Sequence, residues 1–150
     1  MTTTTRRALA DSLPHQLRRA TQACSVVWQQ HMPDLTPPQF AVLFALAEHV
    51  ELDQSTLGAL TSIDRSTLTP LLDRLENRGL ISKTIDPANR RRRLATITEP
   101  GRACFAQASD RTTAIHQWII DTLGADGTTQ LTELLRALGD SPPHSDQTTP

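Results

Sequence analysis

Four consecutive arginines, Arg90, Arg91, Arg92 and Arg93, are the densest chemistry in this 150-residue chain. Like charges in a row repel one another, so such a run requires an anionic partner or open solvent. A second group lies upstream: Arg65, Ser66, Thr67, Thr69, Pro70 and Arg74. Ser66, Thr67, Thr69 and Pro70 are small, and Arg65 and Arg74 are cationic, so the group can approach base edges and phosphates without steric obstruction. A threonine can touch a thymine methyl, and an arginine can pair bidentately with guanine. Asn89, beside the arginine run, accepts a hydrogen bond but carries no charge. Of these, Arg65, Ser66, Thr67, Thr69, Pro70, Arg74, Asn89, Arg90, Arg91 and Arg92 read as the set that would hold a polyanion.

The charge distribution supports that reading. The whole chain has a formal net charge of −1. Residues 65–93 hold eight Lys/Arg against three acids, a local net of +5, so the rest of the chain carries −6. Positive charge confined to one segment of an otherwise acidic protein marks a binding face.

The elements that position these groups are legible from capping signals. Thr36-Pro37-Pro38-Gln39 is a capping-box pattern with proline at the first helical position, and it predicts a helix start. Asp53 and Asp64 predict two more, each flanked by a hydrophobic staple (Leu52 with Leu57, Ile63 with Leu68). The Thr61-Ser62-Ile63 turn is short enough to cross the two helices steeply. The second buries Leu68, Leu71, Leu72 and Leu75, and Gly79 ends it as a left-handed cap. A strand from Leu80 to Asp86, a turn over 87–91 and a return strand from Arg92 or Arg93 to Thr98 follow. A first helix is expected from Ser12 to His31, with apolar positions Leu13, Leu17, Ala20, Cys24, Val27 and Trp28. Thr98 caps a helix to about Leu123, and a last helix spans about Asp126 to Leu138 and stops at Gly139. The fold class is therefore mainly α with a small β-hairpin wing. The expected organisation is a flexible arm (1–11), a helical dimerisation region (12–33 and 99–139), a winged helix-turn-helix (35–98) and a disordered tail (140–150).

Several stretches carry a family resemblance: Leu35-Thr36-Pro37-Pro38-Gln39-Phe40-Ala41-Val42-Leu43, Asp64-Arg65-Ser66-Thr67-Leu68-Thr69, Leu75-Glu76-Asn77-Arg78-Gly79-Leu80-Ile81, the wing from Asp86 to Arg93, and Ile97-Thr98-Glu99-Pro100-Gly101. On these the chain resembles the MarR family of bacterial transcription regulators. The resemblance implies a homodimer reading a pseudo-palindromic operator in double-stranded DNA, with recognition helices in successive major grooves. It assigns Arg91 to the minor groove and puts Asn89 where the family has an orienting Asp.

A second set concerns a small ligand. Arg18, Thr21, Ser25 and Trp28 recur at spacings of three and four along the first helix, and residues 12–33 contain no Asp or Glu. A guanidinium beside an indole and hydroxyls can hold an aromatic carboxylate. The chain is similar to the subgroup that senses phenolic and benzoic acids, in which a helix 1 arginine at the position of Arg18 pairs with the ligand carboxylate. His15 and Phe40 are expected to line the same space. The alternative for Arg18 is a solvated arginine or a bridge to a neighbouring helix or subunit.

Other classes are weaker. Cys24 is expected as a small core residue; the alternative is a redox switch. Glu48 and His49, with His31 or His116, form a poor metal pattern, so no metal or cofactor is expected. His49 fits a helix C-terminus. There is no phosphate loop, nucleophile elbow, zinc helix motif or recognisable carboxylate pair, which argues against an enzyme. A winged-helix protein-interaction module remains the second class, although interface cores prefer aromatics and Met to small polar groups. No signal peptide or membrane-spanning run is read, so a cytoplasmic, reduced setting is expected.

Overall fold

A computed structural model describes residues 9–141. The expected arm and tail fall mostly outside the described residues, in 1–8 and 142–150. Some of their residues fall inside. Leu9–Asp11 forms a 3-10 turn, and Asp140 is still helical.

The elements are α1 (Leu13–His31), α2 (Pro37–Ala47), β1 (Leu52–Asp53), α3 (Gln54–Thr61), α4 (Arg65–Asn77), β2 (Ile81–Asp86), β3 (Asn89–Ile97) and α5 (Glu99–Asp140). The architecture is mainly helical with one small antiparallel sheet in the order β1-β3-β2. Each predicted cap is present. Thr36 and Gln39 form a reciprocal capping box, and Asp53, Asp64 and Thr98 each accept a main-chain N–H of the helix that follows. Capping depends on chemistry within four residues, so local sequence suffices to place it.

The core gathers under the central elements. Val42, Leu43, Leu46, Leu57, Leu68, Leu75 and Ile81 are almost fully buried, drawn from α2, α3, α4 and β2. Burying a leucine side chain of this kind stabilises the fold by about 1.5–3 kcal/mol. The sheet closes one side of this core through Ala95 and Ile97 of β3.

Three features depart from expectation. First, Leu52 and Asp53, expected only as staple and cap, also pair with Ala95 and Leu94 of β3. Two residues carry no periodicity, so this long-range pairing leaves no local signature. Second, the return strand begins at Asn89, which puts the arginine run inside β3 and shortens the turn. The ladder jumps from Ile85↔Arg93 to Asp86↔Asn89, leaving Arg90, Arg91 and Arg92 without partners on β2. Third, α1 buries no residue, and Cys24 is exposed rather than in the core. Only the Val27–Trp28 end of its stripe packs on the core.

The last two predicted helices follow one another along α5, with non-helical backbone at Gly124 (φ 75°, ψ 166°). Glycine adopts such a conformation at little cost. Gly139 does not stop the helix; it runs on to Asp140, and Ser141 N–H bonds the Leu138 carbonyl.

Candidate nucleic-acid interface

The exposed tip of α4 is organised by Asp64. Its carboxylate accepts the Thr67 N–H at 3.0 Å, the Ser66 hydroxyl at 2.5 Å and the Thr67 hydroxyl at 2.7 Å. These bonds, the Ser66 hydroxyl first, lower its pKa to about 2. Thr69 donates its hydroxyl to the Arg65 carbonyl at 3.0 Å and accepts Gln54 Nε2 at 2.6 Å. Pro70 lies inside α4. Its missing N–H removes the helical bond to the Ser66 carbonyl.

The turn before α4 contains Ser62 in the left-handed region (φ 55°, ψ 34°). The far end of α4 closes on Gly79 (φ 71°), where Leu80 N–H reaches the Leu75 carbonyl and Gly79 N–H reaches that of Glu76. This paired-bond cap turns the chain directly into β2.

The wing stands beside the tip of α4. A cleft of about 980 Å³ between them is lined by Arg65, Thr69, Asn89, Arg90, Arg91, Arg92 and Arg93, among others. Asn89 Oδ1 accepts the Arg91 main-chain N–H at 3.1 Å, so it shapes the backbone rather than holding the guanidinium. Arg92 differs from its neighbours. Its guanidinium pairs with Asp53 at 2.7 Å and Asp86 at 3.4 Å.

Acids and bases are partitioned across this surface. Lys83 pairs with Asp73, and with Glu76 at 3.0 Å. Arg78 donates to the Asp34 carbonyl at 2.9 Å. Among the described residues, Arg65, Arg74, Arg90, Arg91 and Arg93 make no side-chain ion pair or hydrogen bond. Two cations therefore take up all three acids of the 65–93 segment, and five arginines keep their charge for another partner. The sequence named Arg65, Arg74, Arg90 and Arg91 and passed over Arg93.

The ligand set is divided by the fold. Trp28 and Phe40 meet edge-to-face with ring centroids 5.6 Å apart, joined by Phe44 and Phe105, which sequence reasoning missed. A cleft of about 420 Å³ beside Trp28 is lined by Thr112, Thr113, Ile115, His116 and Ile119. Arg18 lies ten residues before Trp28, about 15 Å along the helix axis. Arg18, Thr21 and Ser25 are exposed, and both hydroxyls bond back to the carbonyls of Leu17 and Thr21. His15 is partly buried near the start of α1. A single chain thus joins the aromatic members of the set but not the polar ones.

Among the described residues no group of three His, Cys, Asp or Glu is gathered for a metal ion, and no helix is long and apolar enough to cross a membrane. His49 bonds the Ala45 carbonyl at 2.7 Å, at the C-terminal end of α2 as expected.

A helix-turn-helix beside a hairpin with three unengaged arginines, Arg90, Arg91 and Arg93, defines a winged-helix DNA-binding protein. Comparison with known proteins agrees. Residues 35–92 match the MarR family. The transcriptional regulator HosA of Escherichia coli O127:H6 is 33% identical over 87% of this chain and 97% of its own length. Among solved structures, BpsR of Bordetella bronchiseptica, whose DNA binding is regulated by 6-hydroxynicotinic acid, is similar at 31% identity and a TM-score of 0.85, covering 90% of this chain and 98% of that one. The transcriptional repressor CouR bound to a 23-mer DNA duplex is similar at 29% identity and 0.81, covering 87% and 94%. The chain belongs to the MarR family of transcriptional regulators, which are DNA-binding proteins and not enzymes.

Proposed function

We propose that this chain is a homodimeric, cytoplasmic repressor that binds a pseudo-palindromic operator and is released from it by a small aromatic acid. The observation that carries the DNA half is the set of five unengaged arginines on α4 and the wing, four of which (Arg65, Arg90, Arg91 and Arg93) line the cleft between them. In this reading Arg65, Ser66, Thr67, Thr69, Pro70 and Arg74 meet the major groove. Arg90 and Arg91, held by the Asn89 turn, meet the minor groove, where a narrow groove concentrates negative potential.

The release half is supported by how the aromatic cluster is tied to α4. Trp28 Nε1 donates to the Leu35 carbonyl at 2.7 Å, while Arg78, the C-cap residue of α4, donates to the adjacent Asp34 carbonyl. One short turn is thus gripped from the aromatic side and from the recognition helix. An aromatic acid displacing Trp28 or Phe40 would bias that turn and α4 with it. BpsR, regulated by an aromatic acid, gives the class of ligand to try. His15, Arg18, Thr21 and Ser25 supply cation and hydroxyls on the same helix, and in a dimer they can complete a site that one chain leaves open.

Selection of duplexes from a random library tests the DNA half. The expected product is a palindromic consensus whose binding weakens steeply with salt. Failure to enrich any sequence would refute it. A panel of hydroxybenzoic, hydroxycinnamic and nicotinic acids tests the release half. One member should dissociate the selected duplex, and Arg18→Ala should blunt that response while sparing DNA affinity. If no acid acts, or the variant responds normally, the ligand reading fails.

A further inference from the structure

We propose that Arg92 is a strap: it ties the wing to the first turn of α3 and so sets where Arg90, Arg91 and Arg93 meet a duplex. The proposal rests on the reading of the α4–wing surface as the DNA-binding face, and it removes Arg92 from the expected DNA contacts.

Both partners of Arg92 are already built into backbone geometry. Asp53 caps α3, accepting the Thr56 N–H at 2.9 Å and the Thr56 hydroxyl at 2.8 Å. Asp86 accepts the Ala88 N–H at 2.8 Å, which fixes the wing turn. One guanidinium therefore joins a fixed point on α3 to a fixed point on the wing. The two carboxylate side chains are 13% and 12% exposed, against 50% for Arg92, so the acids are set into the fold and the arginine lies over them.

The hairpin needs such a tie. Arg90, Arg91 and Arg92 have no partner on β2, and β1 pairs with β3 only at Ala95 and Leu94. Main-chain pairing is therefore interrupted across Arg90 to Arg92, between the Ile85–Arg93 and Asp86–Asn89 pairs. Arg92 and Asp53 both line the cleft facing α4 and the cleft of about 650 Å³ behind the wing, so their ion pair forms part of the wall between the two. Among the described residues, Arg92 is the arginine of the four that reaches a carboxylate. With two acids beside it, its charge is balanced within the protein. A duplex contact by Arg92 would require breaking both pairs.

Arg92→Gln, Arg91→Gln and Asp53→Asn separate strap from contact. Asn keeps the α3 cap, because it serves as well as Asp at that position. Affinity is measured against salt with a duplex enriched from a random library by the native protein. Arg92→Gln and Asp53→Asn should each weaken binding roughly five- to tenfold, with losses that do not multiply in the double variant. The slope of log affinity on log salt should stay native in both, whereas Arg91→Gln should reduce its magnitude by about 0.9. Arg92→Lys should recover part of the loss. In the free protein, Arg92→Gln should speed amide exchange at Arg90 to Arg93. The Asp53 carboxyl, held well below the usual range chiefly by Arg92, should titrate higher in that variant. A slope reduced as for Arg91→Gln, native affinity, independent losses or unchanged wing exchange would each overturn the strap. If the native protein enriches no duplex, the DNA-face reading fails, and the exchange and titration measurements on the free protein still decide the strap.

Discussion

Asp64 decides which atoms the tip of α4 offers. It is ionised near neutrality, so the Ser66 and Thr67 hydroxyls must donate to it, and their exposed oxygens are left as acceptors. Acceptors suit the amino groups of adenine and cytosine and do not suit phosphate oxygens. In the proposed reading, anionic and groove contacts fall to the guanidiniums of Arg65, Arg74, Arg90, Arg91 and Arg93, with Arg90 and Arg91 in the minor groove. Arg91→Ala should therefore weaken binding to the selected duplex about tenfold or more and leave the dimer intact; unchanged affinity at physiological salt would remove the minor-groove assignment. The Asp64 arrangement has its own signature in pH. Its folded pKa of about 2 lies below the unfolded value near 3.9. A depressed carboxylate contributes stability that is present above the unfolded pKa and is lost as pH falls through the folded one. That contribution should be intact at pH 5 and above and decline from about pH 4 toward 2. Carboxyl carbon chemical shifts of the folded protein should place the Asp64 midpoint near the lower value. A midpoint close to that of a free aspartate would mean that the Ser66 and Thr67 bonds do not form in solution.

At the scale of elements, the junction of α4, β2 and α5 holds the reading head together. Thr98 accepts the Gly101 N–H at 3.1 Å to cap α5 and donates its hydroxyl to the Gly79 carbonyl at 2.6 Å. Gly101 sits against the strand at that crossing. A Cβ there would fall 1.9 Å from the Leu80 carbonyl oxygen and 2.9 Å from Ile97 Cγ1. Backbone cannot step aside as a flexible side chain can. Gly101→Ala should thus cost on the order of 3 kcal/mol in denaturant unfolding, and a loss below about 1 kcal/mol would show that the crossing is looser. This junction also marks the border of what the sequence discloses. Thr98, Pro100 and Gly79 are readable because caps are short-range. So are the starts at Thr36, Asp53 and Asp64, and the exposed cluster near Arg65. The approach of Gly101 to Leu80 is not readable, nor is the pairing of Leu52 with Ala95, the bulge at Arg90 to Arg92 or the meeting of Phe44 with Phe105. Each depends on segments far apart in the chain. The engagement of Arg92 is unreadable for the same reason: within its own tetrad nothing distinguishes it, and the acid that engages it most closely lies in another element.

At the scale of the whole molecule, the single chain leaves apolar side chains of its first and last helices open. α1 buries no residue along its length, although Leu13, Leu17 and Val26 recur on it. Beyond Gly124, α5 exposes Leu131, Leu134, Leu135 and Leu138 and buries only Thr128. Helices of this kind gain most of their stability from packing an apolar face, and contiguous open patches mark interaction surfaces. In the proposed dimer a second copy would cover both helices and set two α4 tips on one duplex, which is how a palindromic site is read. Leu134 and Leu138, 62% and 58% exposed, share one face at a spacing of four. Leu134→Glu combined with Leu138→Glu would place like charges against their own symmetry mates. Sedimentation should then give a monomer at micromolar concentration with helical content retained. Affinity for the selected duplex should fall by a factor on the order of 100 or more, because each winged helix binds its half-site without the effective concentration supplied by its twin. A variant that remained dimeric would move the interface elsewhere. One that became monomeric yet kept native affinity would show that a single reading head suffices, and the symmetrical operator would lose its physical basis.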